Sequence, residues 1–270
     1  MSQTSEPSIR NIVVGEATGT FILVFFGVGS VMAAVATGAQ AGLWQVAVVW
    51  AVGVSLAIYT SAGLSGAHLN PAITLVATVY DRLALGRSAL YIAAQMLGAI
   101  AAALVLYAMF AGAIAQFEVT HAITRGAPGS EISAMMFGEY FPNPAIFGTG
   151  EAALAVISPF GAFVAEAIGT AVLAFVVGTV TSGKNMTRPA EAFAPVMIGL
   201  TVAALISLIA PLTQGAFNPA RDLGPRLISF ALGWGEIAIP GPRGGWLGVY
   251  VAGPIIGALI GGGLQRLVHR

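Results

Sequence analysis

Six stretches of this sequence are apolar over enough residues to cross a lipid bilayer. A spanning helix needs on the order of 20 predominantly apolar residues, and such stretches occupy residues 11–36, 42–61, 88–110, 160–181, 192–210 and 245–265. Hydrophobic residues make up 57% of the chain and charged residues 8%, whereas soluble domains carry about a quarter charged residues. The first apolar run has no small-residue cleavage site after it, so it is interpreted as a span and not as a signal peptide. The sequence therefore predicts an all-α membrane protein with six transmembrane helices.

The charged and metal-binding residues exclude several classes of function. Eleven basic residues balance eleven acidic ones, and no basic stripe is present, so the chain is not expected to bind nucleic acid. The sequence contains no cysteine, and His68, His121 and His269 lie far apart, so neither a metal site nor a cofactor is predicted. Because the chain has no cysteine and only three histidines, it offers few residues from which an intramembrane enzyme could be built.

The basic residues indicate how the chain is oriented in the membrane. Six spans place both termini on one side, and most Lys and Arg residues lie in the tails or in the segments after spans two and four. By the positive-inside rule, this side is cytoplasmic. We therefore expect a multi-pass protein of the inner or plasma membrane with both termini in the cytoplasm. The residues concerned are Arg10, Arg82, Arg87, Lys184, Arg188, Arg266 and Arg270.

The sequence contains an internal repeat. Glu16-Ala-Thr-Gly-Thr is matched by Glu166-Ala-Ile-Gly-Thr, and Asn70-Pro-Ala is matched by Asn218-Pro-Ala at nearly the same offset. Each copy holds three spans and one apolar stretch that is too short to cross the bilayer. An odd number of spans inverts the second copy in the membrane. In one membrane domain, we expect a first repeat over 1–110 with a half-helix at 70–80, an extracellular connecting loop over 111–159, and an inverted repeat over 160–270 with a half-helix at 218–230.

The two short stretches are predicted to be re-entrant half-helices that enter from opposite faces and line a pore. Non-helical backbone at membrane depth is tolerated only where it is buried in protein or lines a watery cavity. Small residues precede each half-helix, so the extended backbone there can present a row of carbonyl acceptors to the pore. The backbone positions concerned are Gly66, Ala67 and His68 before the first half-helix, and Ala216 and Phe217 before the second.

Each half-helix begins with an asparagine followed by a proline, which is a favourable helix start. If both helices end near the bilayer midplane, the two asparagines place free amide NH2 groups and positive helix ends beside the pore. Water there accepts from the amides, which breaks a proton relay, and the helix ends repel cations. A third Asn-Pro-Ala, at Asn143 in the connecting loop, lies outside the repeat and is interpreted as a turn. The pore motifs comprise Asn70, Pro71 and Ala72, and Asn218, Pro219 and Ala220.

Residues 65–72 and 218–221 resemble the aquaporin, or major intrinsic protein, family, and the resemblance covers essentially the whole chain. It implies six tilted helices with two half-helices, one pore per subunit, and a homotetramer. Arg221 resembles the arginine of the family's outer selectivity filter. Trp50 matches the tryptophan of the glycerol channels, whereas Trp44 suits the membrane interface.

Further residues resemble the glycerol-channel, or aquaglyceroporin, branch of that family. Asp222 and Arg226 follow the filter arginine as they do in that branch, and the segment 140–144 resembles its third loop. Asp222 and Arg226 can also form an ion pair, because they are four residues apart on one helix.

The other filter positions depart from the glycerol-channel pattern. By spacing they fall at Ile206 and Gly215, where glycerol channels typically have glycine and phenylalanine, and water channels have histidine and a small residue. Tyr250 and Val251 do not fit the glycerol pattern of the last span. The favoured function is a passive channel for glycerol and other small neutral solutes plus water. The alternatives are a predominantly water-selective channel, a channel for urea, ammonia or neutral metalloid acids, and, less favoured, a coupled secondary transporter.

Two intramembrane carboxylates, Glu16 and Glu166, occupy matching positions of the repeat. Such residues are functional candidates, and in a coupled transporter they could relay protons. The family resemblance implies instead that they accept hydrogen bonds from the loops before the half-helices, and this interpretation is preferred. His68 is expected to contribute its backbone carbonyl and local packing.

Overall fold

A computed structural model of the chain describes residues 6–269. Within them, every regular element is helical, and six helices are long and apolar enough to cross a membrane. The fold prediction is thereby confirmed. Residues 1–5 of the predicted first repeat and the basic Arg270 lie outside the described residues. The long helices are α1 (Ile9–Thr37), α2 (Leu43–Ser65), α4 (Leu85–Thr120), α8 (Pro159–Thr181), α9 (Ala194–Thr213) and α12 (Gly253–Val268).

Shorter helices complete the fold. The two predicted half-helices are present as α3 (Pro71–Tyr80) and α10 (Pro219–Ser229), and each has its asparagine as the N-terminal cap. The second is followed by the segment Phe230–Trp234, in which the chain kinks at Gly233, whose φ is 104°. The remaining short helices are α5 (Glu131–Ala134), α6 (Pro144–Phe147), α7 (Glu151–Leu154) and α11 (Gly245–Leu247).

The third and the last spans depart most from the prediction. The third span runs to Thr120 and not to 110, because Glu118 near its end is neutralised by Arg125, whose Nη2 lies 2.7 Å from the carboxylate. The last span contains a π-helical turn, Gly248–Ala252, which ends two residues before Pro254. Proline has no N–H to donate to the preceding turn, and a π-helical turn accommodates that loss.

The two halves pack in corresponding ways. Helix α1 packs on α2 and α4, and its counterpart α8 packs on α9 and α12. Small residues allow these helices to come close together, as is common in membrane bundles. A Cβ on Gly98 of α4 would lie 2.2 Å from the carbonyl oxygen of Ala17, and a Cβ on Gly257 of α12 would lie 2.0 Å from that of Ala167. The repeat in the sequence thus corresponds to a repeat in helix contacts.

One segment of the connection between the two halves is folded into the protein, which the prediction of an extracellular loop over 111–159 did not anticipate. This segment, 133–144, is buried, including several apolar side chains and Glu139. The third Asn-Pro-Ala is not a simple turn, because Asn143 caps the single turn of α6 and donates from Nδ2 to the carbonyl of Ala210 at 3.0 Å. These contacts hold the connection over one end of the bundle.

Candidate functional site: a pore between two half-helices

The two asparagine caps join the half-helices end to end. Asn70 Oδ1 accepts from the N–H of Ala72 at 2.8 Å, while its Nδ2 donates to the carbonyl of Phe217 at 2.8 Å. Asn218 caps its own helix and donates from Nδ2 to the carbonyl of Leu69 at 2.8 Å. The sequence suggested that both amide groups are free. The structure shows that one N–H of each amide links the two repeats. The second N–H of each amide remains available to a solute.

The backbone leading to each half-helix takes an unusual conformation. Leu69 and Phe217, which precede the asparagines, have φ of 53° and 52°, and Ala67 and Gly215 have φ of 53° and 76°. Non-glycine residues rarely adopt this left-handed region. Within residues 6–269, the carbonyls of five neighbouring positions accept no hydrogen bond, which leaves them as acceptors for a solute. These positions are Gly66, Ala67, His68, Gly215 and Ala216.

Glu16 fixes the first of these loops from behind. Its carboxylate accepts from the backbone N–H of His68 at 3.0 Å and of Leu69 at 2.7 Å. The hydroxyl of Ser65 and the amide of Gln95 also donate to it, at 2.6 and 2.7 Å. The carboxylate is fully buried and borders none of the cavities described below.

Glu166 repeats this arrangement in the second half. It accepts from the backbone N–H of Ala216 at 3.1 Å, from that of Phe217 at 2.9 Å, and from the hydroxyl of Thr213 at 2.6 Å. It too is fully buried and away from the cavities. This geometry supports the loop-holding interpretation over a proton relay.

Three cavities lie in series through the bundle. We call them the outer cavity, of about 1290 Å³ and lined partly by the connection, the middle cavity, of about 690 Å³, and the inner cavity, of about 1590 Å³ and lined partly by the end of α12. The outer and middle cavities share four lining residues, and these are the four predicted filter residues: Trp50, Ile206, Gly215 and Arg221. The middle and inner cavities share Ala67, His68, Ile73 and Val177. The predicted filter is therefore the boundary between the outer entrance and the middle of the pore.

The filter pairs a cation with an aromatic face. The guanidinium carbon of Arg221 lies 4.5 Å from the centroid of the Trp50 ring. Both side chains are nearly buried, at 4% and 5% exposure. Gly27 makes room for the indole, because a Cβ there would lie 2.2 Å from the ring. Nothing in the sequence places Gly27 beside Trp50, so its role could not be predicted.

Comparisons with known proteins agree with this architecture. Residues 3–265 match the protein family described as major intrinsic protein. This chain belongs to the major intrinsic protein family. It is 39% identical to the glycerol uptake facilitator protein of Pseudomonas aeruginosa over 97% of this chain and 90% of that protein. It is 38% identical to the glycerol uptake facilitator protein of Escherichia coli K12 over 100% of this chain and 92% of that one.

A third relative and a solved structure extend the comparison. The propanediol uptake facilitator of Citrobacter freundii is 36% identical over 96% of this chain and 92% of its own length. The X-ray structure of the aquaglyceroporin from Plasmodium falciparum superposes with a TM-score of 0.80 at 25% identity, over 97% of both chains. The chain is thus a multi-pass membrane protein with the fold of this family.

In this major intrinsic protein, Asp222 and Arg226 form the ion pair that their spacing suggested. Arg226 Nε and Nη2 donate to the two carboxylate oxygens of Asp222 at 2.9 and 2.8 Å. The pair also holds the connecting segment, because Asp222 accepts from the backbone N–H of Glu139 at 2.7 Å and Arg226 donates to the Glu139 carbonyl. These two residues thus attach the connection to the second half-helix.

Of the residues that depart from the glycerol-channel pattern, Ile206 and Gly215 line the filter, and Tyr250 lies away from it. Ile206, at 4% exposure, lines the pore, and Gly215 lacks a side chain, so the apolar surface of the filter comes from Ile206 on α9 and Trp50 on α2 and not from the loop. Tyr250 packs outside the pore and donates to the carbonyl of Thr213 at 3.2 Å. In the first half, Tyr91 donates in the same way to the carbonyl of Ser65, at 2.6 Å.

His68 contributes more than the sequence suggested. Its ring stacks on Tyr91 with 4.5 Å between the centroids, and Nδ1 lies 3.3 Å from the hydroxyl of Thr74. The residue also lines the junction of the middle and inner cavities. In residues 6–269, no cluster of three metal-ligating side chains surrounds it or any other site.

Proposed function

We propose that this protein is a passive channel for glycerol and other small uncharged solutes, together with water. The observation that carries the proposal is the four-residue boundary between the outer and middle cavities. There the indole of Trp50 and the side chain of Ile206 offer apolar contact to the carbon side of a polyol. On the other side, Arg221 offers hydrogen-bond donors to its hydroxyls.

Two further features support a neutral, proton-tight path. The available N–H groups of Asn70 and Asn218 orient a solute oxygen as an acceptor, so a water chain would be interrupted between the half-helices. The N-termini of α3 and α10 add positive helix ends at the same level. The relatives named as glycerol uptake facilitators support the choice of glycerol within this family.

The orientation, membrane location and oligomeric state of the channel are also proposed. The inverted orientation of the two repeats follows from the odd number of spans in each. The positive-inside rule places both termini in the cytoplasm, in an inner or plasma membrane. Assembly as a homotetramer with one pore per subunit follows the family resemblance. Chemical cross-linking in the membrane tests the homotetramer. Protease protection of tagged termini tests the cytoplasmic location of the termini.

Stopped-flow light scattering on proteoliposomes tests the transported solutes. Water efflux and glycerol entry are recorded side by side for the parent protein and for Trp50→Phe. We expect rapid glycerol entry that Trp50→Phe weakens, since phenylalanine offers less apolar surface to the polyol. Fast water efflux without glycerol entry would establish the water-selective alternative instead.

Urea is a second candidate solute, because Gly215 contributes no side chain to the filter. Urea entry in the same vesicles would establish a broad filter. A proton or sodium gradient is the control for coupling, and a passive channel shows the same glycerol entry with and without it.

A further inference from the structure

Glu139 is a buried carboxylate at the outer end of the pore that the function proposed above does not use. It belongs to the connecting segment, borders the outer cavity, and is 1% exposed. Its Oε1 contacts Nη2 of the filter residue Arg221 as an ion pair. Neither carboxylate oxygen has a directed hydrogen-bond donor among residues 6–269, so this charge contact is the carboxylate's principal interaction.

The position of Glu139 does not depend on that ion pair. Its backbone N–H donates to Asp222 and its carbonyl accepts from Arg226, so α10 holds the backbone on both sides. The next residue, Tyr140, donates from its N–H to Gln214 Oε1 at 2.7 Å. Because these contacts hold the backbone, the carboxylate is not needed to anchor the segment and can pair with the Arg221 guanidinium.

The charges around the filter balance only if Glu139 is included. Asp222 and Arg226 neutralise each other as a buried pair. Arg221 has the carboxylate of Glu139 as its ion-pair partner among the described residues, and its other polar contact is a 3.3 Å bond from Nη1 to the neutral carbonyl of Phe137. A buried cation without a counter-charge is costly and attracts anions.

We propose that Glu139 is a positioning residue of the filter, which seats the Arg221 guanidinium and offsets its charge so that small anions do not lodge there. Neutral solutes then meet a hydrogen-bond donor without a net charge. This inference rests on the proposed channel function. Burial raises the pKa of the Glu139 carboxyl, and Arg221 opposes that rise, so acidification removes the counter-charge at a higher pH than for a free glutamate.

The test measures glycerol entry into vesicles with either nitrate or gluconate in the external solution, at equal ionic strength. The vesicles are made of zwitterionic lipid and kept at about pH 9, where carboxylates are ionised. Nitrate is small enough to enter the filter, whereas gluconate is bulky. For the parent protein, we expect the same glycerol entry in both salts. For Glu139→Gln, nitrate at about 100 mM should slow entry about threefold if it binds with a dissociation constant of about 50 mM. Glu131→Gln, in the same connection but away from Arg221, is the matched control and should behave like the parent.

A pH series separates charge from shape. As pH falls, the parent protein should acquire the nitrate inhibition that Glu139→Gln already shows, and Glu139→Asp should retain part of the protection. Other groups near the carboxylate or in the outer cavity titrate or carry charge, and comparison with Glu139→Gln subtracts their effects. These groups are Arg221, Asp222, Arg226, Glu166, Tyr140, Tyr250 and His121.

The outcomes distinguish this inference from the proposed function. A folded Glu139→Gln whose glycerol entry is as insensitive to nitrate as that of the parent would overturn the role of Glu139. If the variant does not fold, the pH series on the parent decides, since absence of nitrate inhibition in acid contradicts the inference. A parent protein that conducts water but no glycerol would refute the proposed solute instead, and the nitrate comparison would then be made on water flux.

Discussion

Replacing Glu166 by glutamine tests how the second half-helix loop is held. The carboxylate accepts three hydrogen bonds, two from backbone N–H groups and one from Thr213. Glutamine has one acceptor oxygen where glutamate has two, and its NH2 would face a donor. At least one buried donor would lose its partner and the remaining bonds would lose their charge, at a cost of about 2–4 kcal/mol.

The Glu166→Gln substitution should loosen the loop before α10 and also lower the stability of the whole protein. We expect faster amide hydrogen exchange at Ala216 and Phe217, a lower melting temperature in detergent, and reduced glycerol permeability. Glu151→Gln is the matched control, because Glu151 is an exposed carboxylate of the connection. A Glu166→Gln variant with unchanged exchange and stability would refute the role of an ionised acceptor. A variant that kept its stability and permeability but lost a response to a proton gradient would revive the relay hypothesis.

Three further predictions follow from the pore and its packing. Asn218→Asp keeps the helix cap but loses the donor that links the repeats, so conductance assays should show cation or proton leak, with destabilisation of about 1–3 kcal/mol. Gly257→Ala should lower the melting temperature by forcing a Cβ to within 2.0 Å of a backbone oxygen of α8, whereas Gly112→Ala, which meets nothing within 4 Å, should not. Ile206→Gly should admit four-carbon polyols faster in the vesicle assay, and unchanged entry would show that this residue does not limit the filter.

The helices were predictable because the bilayer imposes a strong local requirement. Hydrocarbon satisfies no backbone polar group, so only long apolar helices can cross it, and their length is visible in the sequence. The half-helices were predictable for a similar reason, since the Asn-Pro start is a local cap. The end of α4 was not, because the helix continues past Glu118 only where Arg125 and Ser133 supply partners.

The connection between the repeats shows where local information ends. The sequence predicted an extracellular loop over 111–159, yet its segment 133–144 is buried in the protein. The bonds that bury it join residues far apart in the chain, such as Glu139 to Asp222 and Tyr140 to Gln214. Nothing in the residues between 131 and 144 identifies those partners, so the sequence could not reveal that a loop glutamate reaches the filter.

The filter itself combines both kinds of information. The four residues assigned by resemblance do meet at one boundary of the pore. What they do there depends on groups that no motif contains. Gly27 sets where the Trp50 ring can lie, and Glu139 sets the charge that Arg221 presents. A filter motif therefore predicts which side chains a solute meets, while the surrounding contacts determine the shape and the charge with which it meets them.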